Sequence, residues 1–127
     1  MSSPDFDAVS AVMQAYFDGL YHADTARLAP VFHPQAGYVG TTPGQETVLS
    51  MPDYFRVVDA RTPPSADGQV RRDRVLSIRF GGPALAFVHA EMAMMGRRYT
   101  DFLTLTKHED RWCIVAKVFH FETETKE

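Results

Sequence analysis

Cysteine is almost missing from this sequence. Cys113 stands alone, which excludes an internal disulfide framework and a thiolate metal cluster, and suits a reducing, cytoplasmic setting. A surplus of one charge is missing too: the net charge is -3, and basic residues gather only at Arg71-Arg72-Arg74 and Arg97-Arg98. No nucleic-acid partner is expected, because a phosphate backbone needs a longer basic stripe. No apolar run approaches the roughly 20 residues that span a bilayer, and Met1-Ser2-Ser3-Pro4-Asp5 lacks the basic start of an export signal, so neither a membrane nor a secretory route is expected. His-x-x-x-His, His-Glu-x-x-His and paired Cys are also lacking, as are a nucleophile elbow and a phosphate loop. No metal and no cofactor is expected.

What is present has the composition of a folded chain, 45% hydrophobic and 23% charged over 127 residues, and its length fits one domain covering 1–127. Phe6, Val9, Val12, Met13, Tyr16, Phe17 and Leu20 recur at helical spacing behind Ser3-Pro4, a cap and first-turn start. Asp24 can cap a shorter helix carrying Leu28, Val31 and Phe32, which Pro34 would stop just after His33. Ala36 to Gly40 reads as a small strand running into the turn formers 41–44. Ser50-Met51-Pro52-Asp53 then opens a third helix with Met51, Tyr54, Phe55 and Val58 on one side. After the turn-rich stretch 62–68 the period changes to two, and strands are expected from Val70 to the Gly81-Gly82-Pro83 turn, over Leu85 to Met95, Arg98 to Thr106 and Arg111 to Phe121. The expected fold is α+β: three N-terminal helices packed on a curved, mainly antiparallel sheet, forming a cone with an internal pocket.

A last turn centred between Glu109 and Asp110 is taken to set Asp101 opposite Lys117, Leu103 opposite Val115 and Tyr99 opposite Phe119, with Met92 beside Asp101. One face then collects Leu76, Ile78, Val88, Met92, Met94, Tyr99, Asp101, Leu103, Val115, Lys117 and Phe119, apolar except for one acid and one amine. The opposite face collects Arg79, Phe87, His89, Phe102, Trp112, Ile114, Val118 and His120. It is too aromatic to be left in water, so a homodimer through this outer face is expected.

Tyr16-Phe17-Asp18-Gly19-Leu20-Tyr21-His22, Phe32-His33-Pro34, Arg98-Tyr99-Thr100-Asp101-Phe102-Leu103 and Trp112-Cys113-Ile114-Val115-Ala116-Lys117-Val118-Phe119-His120 carry a resemblance across nearly the whole chain. In these runs and in element order the sequence resembles the nuclear transport factor 2-like superfamily, whose members include ketosteroid isomerase-like enzymes, and within it the lumazine-binding branch. The resemblance implies a cone-shaped pocket and a frequent sheet-to-sheet dimer. It implies no single reaction, because this superfold hosts enzymes and binders alike.

Asp101 and Lys117 are the sharpest chemical feature, since ionisable groups on a helix-facing surface need a partner or a ligand. They read either as a ligand anchor or as an internal ion pair fixing strand register. Tyr16 adds a phenol that reads as packing or as a hydrogen-bond donor, and Tyr54, Met92, Tyr99 and Phe119 add an aromatic and thioether lining. The leading expectation is a small-molecule-binding domain with these seven residues as its site. The alternative is a cofactor-independent isomerase, dehydratase or hydrolase with Asp101, Tyr16 and His33 as catalytic groups, His33 reaching the pocket rim from a helix end. A neighbouring lysine weighs against a basic Asp101, because a close cation favours the ionised carboxylate. A structural dimerisation domain without ligand is the third possibility.

Overall fold

The computed structural model describes residues 3–124; Met1, Ser2 and 125–127, the two ends of the expected domain, lie outside them. Helix α1 spans Pro4–Tyr21, and the Ser3 side chain accepts the Phe6 N–H at 3.0 Å. Its buried stripe is Val9, Met13, Tyr16, Phe17 and Leu20, the three-and-four spacing of one helical face. Helix α2 is only Thr25–Leu28, capped by Asp24, and tightens into a 3-10 turn over Ala29–Val31. Pro30 has no N–H to donate, so the α ladder ends there and the chain extends as strand β1, Phe32–Gly40. The second helix therefore stops short of Phe32 and His33, which the sequence reading had placed on it.

A short strand β2, Thr47–Leu49, precedes helix α3, Met51–Asp59, where the Ser50 hydroxyl accepts the Asp53 N–H and Met51, Tyr54 and Val58 are buried. The meander follows as β3 (Arg72–Gly82), β4 (Leu85–Met94), β5 (Arg97–His108) and β6 (Arg111–Thr123). The sheet order is β2-β1-β6-β5-β4-β3. Strand β1 runs parallel to β6 and the other neighbours are antiparallel, giving an open, six-stranded mixed sheet with helices on one face.

Two bulges decide which side chains face the helices. Near the last turn Leu105 pairs with Ile114, whereas beyond it Thr104 pairs with Ala116, leaving Val115 without an opposite residue. Tyr99 therefore faces Phe121, Asp101 faces Phe119 and Leu103 faces Lys117, each two positions further along β6 than the sequence reading had it. Asp101 and Lys117 stay on one face as diagonal neighbours. Trp112 and Ile114 move to the inner face, 3% and 0% exposed, and leave the outer surface to which they had been assigned. A second bulge between Val75 and Ser77 likewise turns Leu76 outward, 41% exposed.

The hairpin between β4 and β5 turns on Met95 and Gly96, both at positive φ, so Met92 pairs with Tyr99 and Ala90 with Asp101. The inner face is thus a stack of cross-strand rows. One row holds Met92, Tyr99 and Phe121. The next holds Ala90, Asp101, Phe119 and Gly40, and the one after it Val88, Leu103, Lys117 and Tyr38. The last, Ala86, Leu105, Ile114 and Phe32, is buried throughout.

Candidate functional site

Helix α1, crossing this face, brings Tyr16 to Asp101. The phenol donates to Asp101 Oδ2 at 2.5 Å, and both residues are buried, at 0% and 1% exposure. Burial, and then the neighbouring Asp101 charge, push the Tyr16 phenol well above its ordinary range, so it is held as a donor. The other carboxylate oxygen, Oδ1, is buried and has no hydrogen-bond partner among the described residues. A buried acceptor left unpaired is costly, and such an atom calls for a donor brought from outside.

Lys117 lies in the adjoining row, 5% exposed. Its Nζ sits over four rings, 5.2 Å from the centroids of Tyr16, Tyr54 and Phe119 and 5.3 Å from that of Tyr38. Ring faces carry negative potential, so this box replaces part of the ammonium's lost hydration. One hydrogen-bonding contact completes it, to the Tyr54 hydroxyl at 3.5 Å. No contact within 4.0 Å joins the ammonium to the Asp101 carboxylate. The ion pair envisaged as a register pin is therefore open.

Burial raises the Tyr54 and Tyr38 phenols as well; Lys117 opposes the effect at Tyr38, and Arg61, just beyond α3, opposes it at both. Tyr38 and Tyr54 stack at 4.3 Å, Tyr38 meets Phe119 at 5.0 Å, and Phe119 meets Tyr99 at 5.9 Å. Phe119 also lies against Gly40, where an added Cβ would come within 3.0 Å of its ring, so only glycine leaves the ring its place. Beyond Tyr99, the Arg97 guanidinium covers the Phe121 ring at 4.0 Å. Side chains around Asp101 towards this end, Met92, Met94, Tyr99 and Phe121, are 6–7% exposed, whereas Val88, Leu103 and Leu105 at the other end are at 0%. The packing is thus slightly looser at the end with Met92 and Tyr99.

The structure brings together Tyr16, Tyr54, Asp101, Lys117 and Phe119, with Met92 and Tyr99 one row away. It does not bring His33 to them. His33 is on β1 beside Phe32, accepts the Gln35 N–H at Nδ1 and faces His108 at 5.9 Å. There it lines a separate cleft of about 390 Å³ with His108, Arg111 and Cys113. Its expected place at a helix end and pocket rim is corrected by the early end of α2. Tyr38, unremarked in the sequence, belongs to the lysine box. Alternation with Ala36 and Gly40 gave its facing, but nothing local showed that β1 lies beside β6.

Helices on one face of an open, bulged sheet, enclosing a polar centre in an aromatic interior, define a nuclear transport factor 2-like domain. The chain belongs to the family described as “Putative lumazine-binding”, which matches residues 4–120. It is similar to a solved NTF2-like protein of unknown function from Silicibacter pomeroyi, at 26% identity with a TM-score of 0.80, over 96% of this chain and 100% of that one. A Shewanella baltica NTF2-like protein, also of unknown function, has 25% identity and a TM-score of 0.84 over 98% and 100%. A ketosteroid isomerase-like protein from Erwinia carotovora shares the fold at 13% identity and a TM-score of 0.71, over 96% and 99%. Among curated proteins, Aldolase FrzH of Cladobotryum sp is 29% identical over 122 residues, 94% of each chain.

Proposed function

We propose that this protein binds a small, planar, carbonyl-bearing molecule between Asp101 and Lys117, in the interior lined by Tyr16, Tyr54, Met92, Tyr99 and Phe119. The observation that carries this is the open pair: a buried carboxylate with one oxygen unpartnered and a buried ammonium on the same face, not in contact. Two buried charges used only for stability gain most by closing on each other. Left apart on adjacent strands, they offer an acceptor and a donor on one face, with ring faces on the lysine side. A heterocycle with an N–H beside a carbonyl matches both, the N–H to Asp101 Oδ1 and the carbonyl oxygen to Lys117 Nζ. Lumazine, named in the family description, has such an edge, and is the first probe to use. Thermal-shift titration with lumazine tests the reading: the wild type should be stabilised in a saturable way, and Asp101→Asn and Lys117→Met should lose the effect. Equal shifts in all three proteins would sink it.

A second reading is catalytic, favoured by the short Tyr16–Asp101 bond and by the likeness to a protein named an aldolase. Asp101 Oδ1 would take a proton from the carbon next to a bound carbonyl, while Lys117 and the Tyr54 hydroxyl stabilise the enolate oxygen. Proton-to-deuteron exchange at the α-carbon of a ketone probe, abolished by Asp101→Asn, is its test.

The outer face carries a third proposal, a homodimer. Leu76, Leu85, Phe87, Phe102 and Val118 are 37–45% exposed there, and a second copy packed sheet to sheet would bury them.

A further inference from the structure

Among the described residues Lys117 is the one amine of the interior, and its surroundings bear on what it can do beyond holding a ligand. Among the described residues four ring faces surround Nζ, no carboxylate is within 4.0 Å, and one hydroxyl touches it at 3.5 Å. A lysine held for its charge alone is usually closed onto an acid. Here the nitrogen is left with a single weak contact, while an acceptor oxygen without a partner sits diagonally across on the neighbouring strand.

We infer that Lys117 is a covalent site, whose amine condenses with the aldehyde or ketone of a small ligand to form an iminium ion inside the aromatic box. This rests on the reading that the interior admits a carbonyl-bearing molecule, and goes beyond it by assigning bond formation to Nζ. The ammonium first passes one proton to Asp101 by way of a water molecule, because the two groups are not in contact. Its freed lone pair then attacks the carbonyl carbon, forming the N–C bond as the carbonyl π electrons move to oxygen. That oxygen takes the proton back from Asp101 and a second one from the nitrogen, and leaves as water as the C–O bond breaks. The nitrogen lone pair closes the C=N bond. In sum, an ammonium and a carbonyl compound give an iminium and one water, with no oxidant or reductant and no change of net charge.

Conservation of charge is why this box suits the step. Ring faces attract a cation whatever its substituents, so the same attraction applies to the iminium as to the ammonium. The iminium is larger and flatter, and prefers stacked faces. Tyr16, in turn, fixes the carboxylate that carries the proton, through a bond to Oδ2 that leaves Oδ1 free for the task.

The sequence favours a clean experiment, because it has only three lysines, Lys107, Lys117 and Lys126. Lys107 is held at the surface by Asp5, with Nζ to Oδ1 at 3.0 Å. The protein is incubated near neutral pH with benzaldehyde and sodium cyanoborohydride, which reduces an iminium to a stable secondary amine, and the adduct is located by peptide mapping. The expected result is one saturable adduct at Lys117, at least tenfold ahead of Lys107 and of the amino terminus. Lys117→Arg keeps the cation in the box, and should keep the wild-type melting temperature while losing the adduct. Labelling spread evenly over the amines, or an adduct unchanged in Lys117→Arg, overturns the inference. Benzyl alcohol, which has no carbonyl, separates the two levels. If it protects the wild type thermally through Lys117 but benzaldehyde leaves no adduct, the interior binds ligands and the covalent step is wrong. If neither compound acts on the wild type and lumazine gives no thermal shift either, both are wrong.

Discussion

The Tyr16 hydroxyl and the Asp101 carboxylate meet at 2.5 Å although 85 positions separate them in the chain. This one bond ties the first helix to the middle of the sheet, and leaves the other carboxylate oxygen without a partner among the described residues. Tyr16→Phe removes the only donor on a buried acid, so a loss of about 2 to 3 kcal/mol in urea unfolding is expected. Tyr54→Phe removes only a 3.5 Å contact, and should cost under about 1 kcal/mol. Equal costs for the two changes would contradict the assigned roles.

Lys117 gives a prediction of opposite sign. A buried ammonium without a carboxylate partner is held at a desolvation cost that ring faces offset only in part. Met is close to lysine in length and has no charge to desolvate, so Lys117→Met should raise stability by roughly 1 kcal/mol while ligand binding falls. Denaturant midpoints and lumazine titrations on the same two proteins check both halves. A destabilised Lys117→Met would mean that the ammonium is well paired in the native state.

Alkaline pH probes three of the buried phenols. Tyr16, Tyr38 and Tyr54 are all raised above their ordinary value, chiefly by burial. A group raised in the folded state keeps its proton there while the unfolded chain loses it. The stabilisation is therefore complete below about pH 10, and lost as pH climbs above it, by about 1.4 kcal/mol per pH unit for each phenol. Tyrosinate absorbance should therefore rise in step with unfolding for these three, and smooth ionisation of all five tyrosines in a still-folded protein would contradict it.

On the outer face, Phe102 is the most exposed of the apolar residues between Phe87 and Val118. Phe102→Glu would bury a charge in a sheet-to-sheet contact. Light scattering at micromolar concentration should give a dimer for the wild type and a monomer for the variant, and a monomeric wild type would end the dimer proposal.

Much of this was readable from the sequence, because it depended on local periods. The helical stripe from Val9 to Leu20, the Ser50 cap and the alternation in β4 all follow from spacing within a few residues. Asp101 and Lys117 do share a face, but a bulge, not the turn alone, puts them there. A two-residue turn at Glu109–Asp110, continued without interruption, would place Asp101 opposite Val118, and only the bulge at Val115 returns Lys117 to the acid's side. No residue type announces that bulge, so Trp112 and Ile114 were put on the wrong face. Parallel pairing of β1 with β6 spans about eighty residues of chain and leaves no local mark, which is why Tyr38 was passed over, whereas His33 was misplaced because the helix ends early, at Pro30. The open distance between Asp101 and Lys117 depends on side-chain placement, and no pattern of letters carries it.

The central claim is that one ligand spans the gap between Asp101 and Lys117. Titration calorimetry with lumazine on the wild type, Asp101→Asn, Lys117→Met and the double variant tests it most directly. Each single change is predicted to weaken binding at least tenfold, and the double to be little worse than either, because both residues grip the same edge of the same molecule. Affinity unchanged by either substitution would contradict the account.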